Sequence, residues 1–113
     1  MFEFGGEARR SFLWYGFRAM SRAEILARLA ALKPWLASEG VTRLRLFGSH
    51  ARDQARADSD IDLIADFSRP LGLRQFTLQD EVSARLGQKV ELVTERALAP
   101  DIRLTALRDA IDA

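Results

Sequence analysis

The chain has no cysteine and only one histidine, and no apolar run in its 113 residues is long enough to cross a membrane. Without cysteine it has no disulfide, zinc–thiolate site or cysteine nucleophile, which fits a cytoplasmic protein. The formal net charge of +1 gives no support to direct nucleic-acid binding through a broadly basic surface. The length suits one domain, and we therefore expect substrate specificity to come from loops or from a partner.

The first nineteen residues differ in composition from the rest of the chain. They hold six of its ten aromatic residues, interleaved with arginines, and lack the clean apolar stretch of a secretory signal. We interpret residues 1–19 as an N-terminal extension, either mobile or partner-binding, and residues 20–113 as the functional domain. Met20 is then a candidate native start, in which case residues 1–19 are a misassigned leader.

Hydrophobic spacing and turn residues predict helices alternating with strands. Ser21 and Glu24 have the spacing of a capping box and predict a helix start. The predicted strands cover 41–47, 61–67 and 89–93, and the later helices cover 49–54, 73–86 and 100–111. The last two helices are expected to carry apolar faces formed by Phe76, Leu78, Val82 and Leu86, and by Ile102, Leu104, Leu107 and Ile111. The order α-β-α-β-α-β-α predicts an α/β domain in which helices back a small sheet.

Two carboxylates stand two residues apart at the second predicted strand. Residues at this spacing project to one face of a strand, so Asp60 and Asp62 are expected to point together. Two such charges repel by about 4 kcal/mol at an effective dielectric near 20, and a divalent cation between them relieves the repulsion. Mg²⁺ is the natural candidate, with Mn²⁺ as an alternative, because it accepts carboxylate oxygens together with substrate phosphates. The pair predicts a metal site.

Small and basic residues precede this pair at the end of the first predicted strand. Gly48 permits close approach of a ligand to the backbone, and Ser49 lies where the next helix exposes free N–H groups. Arg52 adds positive charge one turn later, and Ser59 closes the polar turn before Asp60. These residues predict a cradle for the triphosphate of a nucleotide.

Glu91 is a third acid, flanked by apolar neighbours on the third predicted strand. If the two acidic strands are adjacent, three carboxylates can hold two metal ions, and Glu91 can accept a proton. Each feature also has a simpler interpretation when taken alone. Gly48-Ser49 is then an ordinary turn, the two aspartates a solvated strand edge and Glu91 an outward-facing residue. Arg52 can instead pair with Asp53 or Asp58, and we interpret His50 as a turn residue.

In combination, the motifs resemble those of a known superfamily. Residues 46–52 (LFGSHAR), followed by residues 58–63 (DSDIDL), are similar to the signature of the minimal nucleotidyltransferases of the DNA polymerase β-like superfamily. Ten residues separate Ser49 from Asp60, as in that pattern, and residues 87–93 (GQKVELV) also have a counterpart. The similarity runs from Ser21 to the C-terminus. The chain departs from the pattern at Glu91, where the family usually has aspartate.

The resemblance implies a polymerase β-like α/β (α+β) fold with a small mixed sheet backed by helices. It implies a Mg²⁺-dependent antitoxin that transfers AMP from ATP to a tyrosine of a cognate HEPN toxin. Asp60, Asp62 and Glu91 would be catalytic metal ligands, and Gly48, Ser49, Arg52 and Ser59 would bind the nucleotide. A hetero-oligomer with the toxin and a homodimer are both compatible with this assignment. Two alternatives stay open: a non-catalytic antitoxin that blocks its partner, and a small-molecule (antibiotic) nucleotidyltransferase.

Overall fold

The computed structural model describes residues 20–113, so the predictions for residues 1–19 lie outside the described part of the chain. The described elements alternate between helices and strands. In chain order they are α1 (Arg22–Ser38), β1 (Val41–Phe47), α2 (Gly48–Ala51), β2 (Ile61–Phe67), α3 (Arg74–Leu86), β3 (Val90–Val93), a 3₁₀ turn (Glu95–Ala97), α4 (Pro100–Asp109) and β4 (Ile111–Asp112). The predicted α/β (α+β) class is confirmed.

The capping box at the start of α1 forms as the sequence predicts. The backbone N–H of Glu24 donates to Ser21 Oγ at 3.1 Å, and the backbone N–H of Ser21 donates to Glu24 Oε1 at 2.8 Å. The two bonds satisfy donors that the helix itself leaves free. One stripe of α1 is then buried against the sheet through Ile25, Leu29 and Leu36.

The four strands form one mixed sheet in the order β3-β2-β1-β4. Strand β1 runs antiparallel to β2 and to β4, whereas β2 and β3 are parallel. In this register Leu46 pairs with Leu63, and Leu63 pairs with Leu92. All three leucines are at most 2% exposed, on the face that packs with residues of α1 and α3 into the core.

The next row of the register lies on the other face of the sheet. Phe47 pairs with Asp62, and Asp62 pairs with Glu91. Paired residues project to the same side, and this side alternates with the leucine side along each strand. The register therefore brings the two acids together on the sheet face opposite the core.

The end of the chain differs from the prediction. Helix α4 stops at Asp109 instead of running to residue 111, because Ala110 is extended (φ −65°, ψ 140°) and Ile111 pairs with Leu46 of β1. The strand pairing of Ile111 thus overrides the helical spacing of the apolar residues at the end of the chain. Asp112, in the same short strand, accepts from Arg43 Nε at 2.8 Å. The 3₁₀ turn was also not predicted.

Three side chains expected on apolar helix faces are exposed instead: Phe76 by 63%, Ile102 by 53% and Leu104 by 75%. Helix α4 buries Ala106, at 4% exposure, while these larger side chains stay outside. A small residue at the contact allows close approach of the helix, which explains why the pattern of large residues was misleading. Among the described residues, none of the helices combines the length and apolarity needed to span a bilayer.

Substitution of a buried leucine of the sheet and of an exposed leucine tests which residues form the core. Leu63→Ala is expected to lower the free energy of unfolding by about 2–5 kcal/mol, because it leaves a cavity at a fully buried position. Leu73→Ala, at a position that is 81% exposed, is the matched control and should change it by no more than about 0.5 kcal/mol. Urea denaturation measures both values. Similar losses for the two variants would contradict the assigned core.

Candidate active site

Asp62 and Gly48 lie in direct contact where β1 ends and α2 begins. Gly48 has a left-handed backbone (φ 77°), and a Cβ built there would overlap the Oδ2 atom of Asp62 and lie 3.2 Å from its Cγ. Glycine is therefore needed for two reasons, backbone conformation and space. The missing side chain allows the carboxylate of Asp62 to lie directly against the start of α2.

Asp62 is the half-buried member of a group of three acids. Glu91 is its neighbour on β3, and Asp60 precedes it by two residues. Burial, followed by repulsion from Glu91 and from Asp60, raises the pKa of Asp62 to about 6, and Arg52 acts weakly in the opposite direction. Ionisation of Asp62 is thus disfavoured, and a strongly shifted pKa of this kind is common at functional sites.

The other two acids are more open to solvent. Asp60 lies just before β2, not within it, and its Oδ2 is 3.8 Å from Lys89 Nζ. Glu91 is exposed on β3. Within residues 20–113, no three histidine, cysteine or acidic side chains lie close enough together to hold a metal ion as they stand. The structure therefore brings the predicted acids to one region without closing them into a preformed cluster.

The predicted phosphate-binding residues also lie at this end of the sheet. Ser49 follows Gly48 in α2, and Arg52 is the residue that caps α2. Arg52 Nη1 is 3.2 Å from Asp109 Oδ2, so the guanidinium joins α2 to α4. The expected alternative pairing with Asp53 or Asp58 is wrong, because an acid remote in sequence folds beside Arg52.

Ser59 takes part in the turn that leads to the acidic pair. Its hydroxyl oxygen accepts from the backbone N–H of Arg56 at 2.9 Å, and its own N–H donates to the Arg56 carbonyl at 3.0 Å. The side chain therefore shapes the loop before Asp60. Its predicted role in nucleotide binding stays a prediction.

A cavity of about 410 Å³ opens beside the Gly48–Asp62 contact, between α2 and α4. Its walls combine the cationic Arg52 and the acidic Asp101 with apolar and small residues from β1 and the two helices: Phe47, Gly48, Arg52, Asp101, Ile102, Thr105 and Ala106. A larger cavity of about 560 Å³ lies at the other end of β2 and contains none of the predicted site residues. The smaller cavity is the one next to the contact of Gly48 with Asp62, and its polar and apolar walls suit a nucleotide.

The sequence-based interpretation missed the importance of His50. Its side chain is only 1% exposed, and its Nδ1 lies 3.0 Å from the carbonyl oxygen of Asp60. Burial lowers the pKa of His50. A lone histidine in a short polar segment carries no pattern that would reveal this contact, so the turn-residue interpretation is wrong.

Comparison with known proteins identifies the class that this fold and site define. The family model "Polymerase beta, Nucleotidyltransferase" matches residues 31–111. The chain therefore belongs to the polymerase beta nucleotidyltransferase family. It is also 37% identical over 73 residues to protein adenylyltransferase MntA of Thermococcus cleftensis, a match that covers 64% of this chain and 74% of the relative.

Solved structures agree with this assignment. A protein provisionally named a minimal nucleotidyltransferase is 40% identical, with a TM-score of 0.67, over 81% of this chain and 95% of that protein. A chain of a toxin–antitoxin crystal structure with AMP-PNP has a TM-score of 0.59 and 19% identity over 82% of this chain and 72% of its own length. At that identity the likeness establishes the fold alone. Together the matches confirm the polymerase β-like fold predicted from the motifs.

The contact between Gly48 and Asp62 can be tested with a matched pair of glycine substitutions. Gly48 and Gly87 have nearly the same left-handed backbone (φ 77° and 75°), but nothing lies within 4 Å of a Cβ at Gly87. In both alanine variants the free energy of unfolding should fall by about 1–2 kcal/mol, because alanine is strained in a left-handed backbone. In Gly48→Ala it should fall by about 1–3 kcal/mol more, because the new side chain displaces Asp62. Urea denaturation measures the difference. Equal losses would show that the close contact is not a constraint.

The charge on Asp62 should make stability depend on pH. Its pKa rises from the ordinary value of 3.8 to about 6 in the fold, so the folded state binds more protons between these values and the wild type loses stability as pH rises through them. Asp62→Asn removes the disfavoured charge. The variant should therefore be more stable than the wild type at about pH 8, with the advantage disappearing between about pH 6 and pH 4.

Thermal unfolding in EDTA across this pH range measures the effect. Asp80→Asn, at an exposed position on α3, is the control and should give no such pH-dependent difference. A variant less stable than the wild type at about pH 8 would show that the ionised Asp62 is not disfavoured in the fold and would contradict its raised pKa.

Proposed function

We propose that this nucleotidyltransferase is a Mg²⁺-dependent protein adenylyltransferase that acts as an antitoxin, transferring AMP from ATP to a tyrosine of a cognate HEPN toxin. The observation that carries the proposal is the contact of Asp62 with Gly48, with Asp60 and Glu91 beside it and a cavity opening next to it. The name of the Thermococcus relative supports a protein as the acceptor.

The chemistry of the acidic residues fits a magnesium ion. Carboxylate oxygens are the ligands that Mg²⁺ prefers, and a cation would offset the repulsion that raises the pKa of Asp62. Asp60, Asp62 and Glu91 would hold the ion. When bound, Mg²⁺ neutralises charge on the triphosphate and favours ionisation of the attacking hydroxyl. Because the three acids do not form a closed cluster in the fold, substrate phosphates would complete the site.

The remaining residues would position the nucleotide for an in-line transfer. The backbone of Gly48 and the hydroxyl of Ser49 would contact phosphate oxygens, and Arg52 would add positive charge from the cavity wall. The tyrosine oxygen attacks the α-phosphorus of ATP, a new O–P bond forms, and the bond to pyrophosphate breaks. The proton of the hydroxyl passes to Glu91, and pyrophosphate leaves with its electron pair.

The partner follows from the family resemblance and from the size of the chain. A protein acceptor brings its own recognition surface, which a domain of this size does not need to supply. The solved complex of the same fold is a toxin–antitoxin pair with an ATP analogue, which is consistent with this partner class and substrate.

One observation favours a second candidate, a non-catalytic antitoxin that blocks its toxin. Glu91 has a longer side chain than the usual aspartate and is exposed, and the three acids do not converge closely enough to hold a metal ion unaided. Steric blocking needs the surface of the protein but not this cluster.

Labelling separates the two functions. Incubation of the wild type with labelled ATP, Mg²⁺ and the product of the adjacent gene should transfer the label to that product. Asp60→Asn and Asp62→Asn should each reduce transfer by about 100-fold or more, because charge stabilisation in such sites is worth that much. The exposed Asp80→Asn variant is the control and should label at the wild-type rate.

The same variants should be measured for neutralisation of the toxin in cells. Under the proposed function, neutralisation is lost together with labelling. Full neutralisation by an Asp60→Asn/Asp62→Asn double variant would instead establish steric blocking, and equal labelling by the single variants would refute the assigned metal ligands.

A further inference from the structure

The buried His50 and the neighbouring Gln88 both bond the loop that precedes β2. Nδ1 of His50 lies 3.0 Å from the carbonyl oxygen of Asp60, and Nε2 of Gln88 donates to the carbonyl oxygen of Ser59 at 2.6 Å. The two side chains also approach each other, with 3.5 Å between His50 Nε2 and Gln88 Nε2. One residue from α2 and one from just before β3 thus fix two successive carbonyl groups.

The contacts define the chemical form of His50. A carbonyl oxygen only accepts hydrogen bonds, so Nδ1 must carry the proton that His50 donates to Asp60. The amide nitrogen of Gln88 only donates, so Nε2 of His50 is the acceptor of the longer contact. His50 therefore acts as a neutral imidazole whose two nitrogens face the loop and Gln88.

The sheet begins only at the peptide group that joins Asp60 to Ile61. The hydrogen bonding between β2 and β3 begins at Ile61, whose N–H donates to the carbonyl of Lys89 at 2.9 Å. The pairing of β1 with β2 also ends at Phe47 and Asp62. Asp62 is thus positioned by the strand register. The peptide group between Asp60 and Ile61 is held by Lys89 and by His50, whereas the carbonyl of Ser59 is held by the side chain of Gln88.

We propose that His50 and Gln88 are positioning residues that hold the main chain of Ser59 and Asp60 so that the Asp60 carboxylate stays beside Asp62. The carbonyls of Ser59 and Asp60 belong to the two peptide planes that flank the Cα of Asp60, and fixing both planes fixes the direction in which the Asp60 side chain leaves the backbone. Removing the bond from His50 also leaves a carbonyl of a part-buried loop without its partner. The inference rests on the proposed function, since the position of the Asp60 carboxylate matters because Asp60 and Asp62 would hold the metal ion together.

Three substitutions distinguish positioning from simple filling of the core. The side-chain amide of His50→Asn places a donor near the position of Nδ1, His50→Gln places it near Nε2, and His50→Leu fills space without a donor. Gln88→Leu removes the second bond from a position that is only partly buried. Val82→Ala, at a buried position on α3, is the control for loss of stability without loss of these contacts.

The first measurement needs neither metal nor acceptor. Backbone ¹⁵N order parameters of Asp60 and Ile61, whose N–H groups share peptide planes with the carbonyls of Ser59 and Asp60, should be about 0.85 in the wild type and fall below about 0.6 in His50→Leu. His50→Asn should restore them, while His50→Gln should not. If His50→Leu does not fold, Gln88→Leu provides the same test at the amide of Asp60. Wild-type order parameters in both leucine variants would overturn the inference, as would an equal loss in Val82→Ala.

The second measurement connects the loop to the site. Titration with Mn²⁺ in the presence of AMP-PNP, followed by electron paramagnetic resonance, should show dissociation constants about 10- to 100-fold weaker for His50→Leu and His50→Gln, and within about threefold of the wild type for His50→Asn. Unchanged binding by a folded His50→Leu variant would refute positioning of Asp60. Absence of Mn²⁺ binding by the wild type would refute the proposed metal site, while the order parameters would still decide the role of His50.

Discussion

The register of the central strands is the constraint on which the rest of the site depends. Pairing of Phe47 with Asp62, and of Asp62 with Glu91, places both acids on one face while Leu46, Leu63 and Leu92 fill the other. Because side chains alternate along a strand, a slip of one residue would bury the acids and expose the leucines. The buried leucine row therefore stabilises the same register that the acidic site requires. Core packing and the geometry of the site thus depend on one strand register.

Much of this arrangement was accessible from local patterns. The bounds of β1 and β2 were predicted because apolar runs there end at clear turn residues, and the capping box marked the start of α1. The neighbourhood of Asp62 with Gly48 and Glu91 followed from motif spacing combined with the resemblance. The strand bounds and the cap are encoded within a few residues of each other, whereas the proximity of Gly48, Asp62 and Glu91 was predicted from the motifs that resemble a known superfamily.

Features that depend on distant partners could not be predicted. The pairing of Ile111 with Leu46, the ion pair of Arg52 with Asp109 and the contact of His50 with Asp60 each join different elements. None of them leaves a periodic pattern in the sequence. The same limit applies to the acids: spacing predicts that they are near each other, but it does not determine whether three side chains converge, and in the described fold they do not form a closed cluster.

The ion pair beside β4 has a consequence for the behaviour of the protein at high concentration. Strand β4 pairs with Arg45 and Leu46 of β1, the N–H of Ala113 donates to the carbonyl of Leu44, and Arg43 next to them forms an ion pair with Asp112. A second copy adding a strand there would have to separate this pair and remove charged groups from water. The charged pair thus disfavours edge-to-edge aggregation along this part of β1.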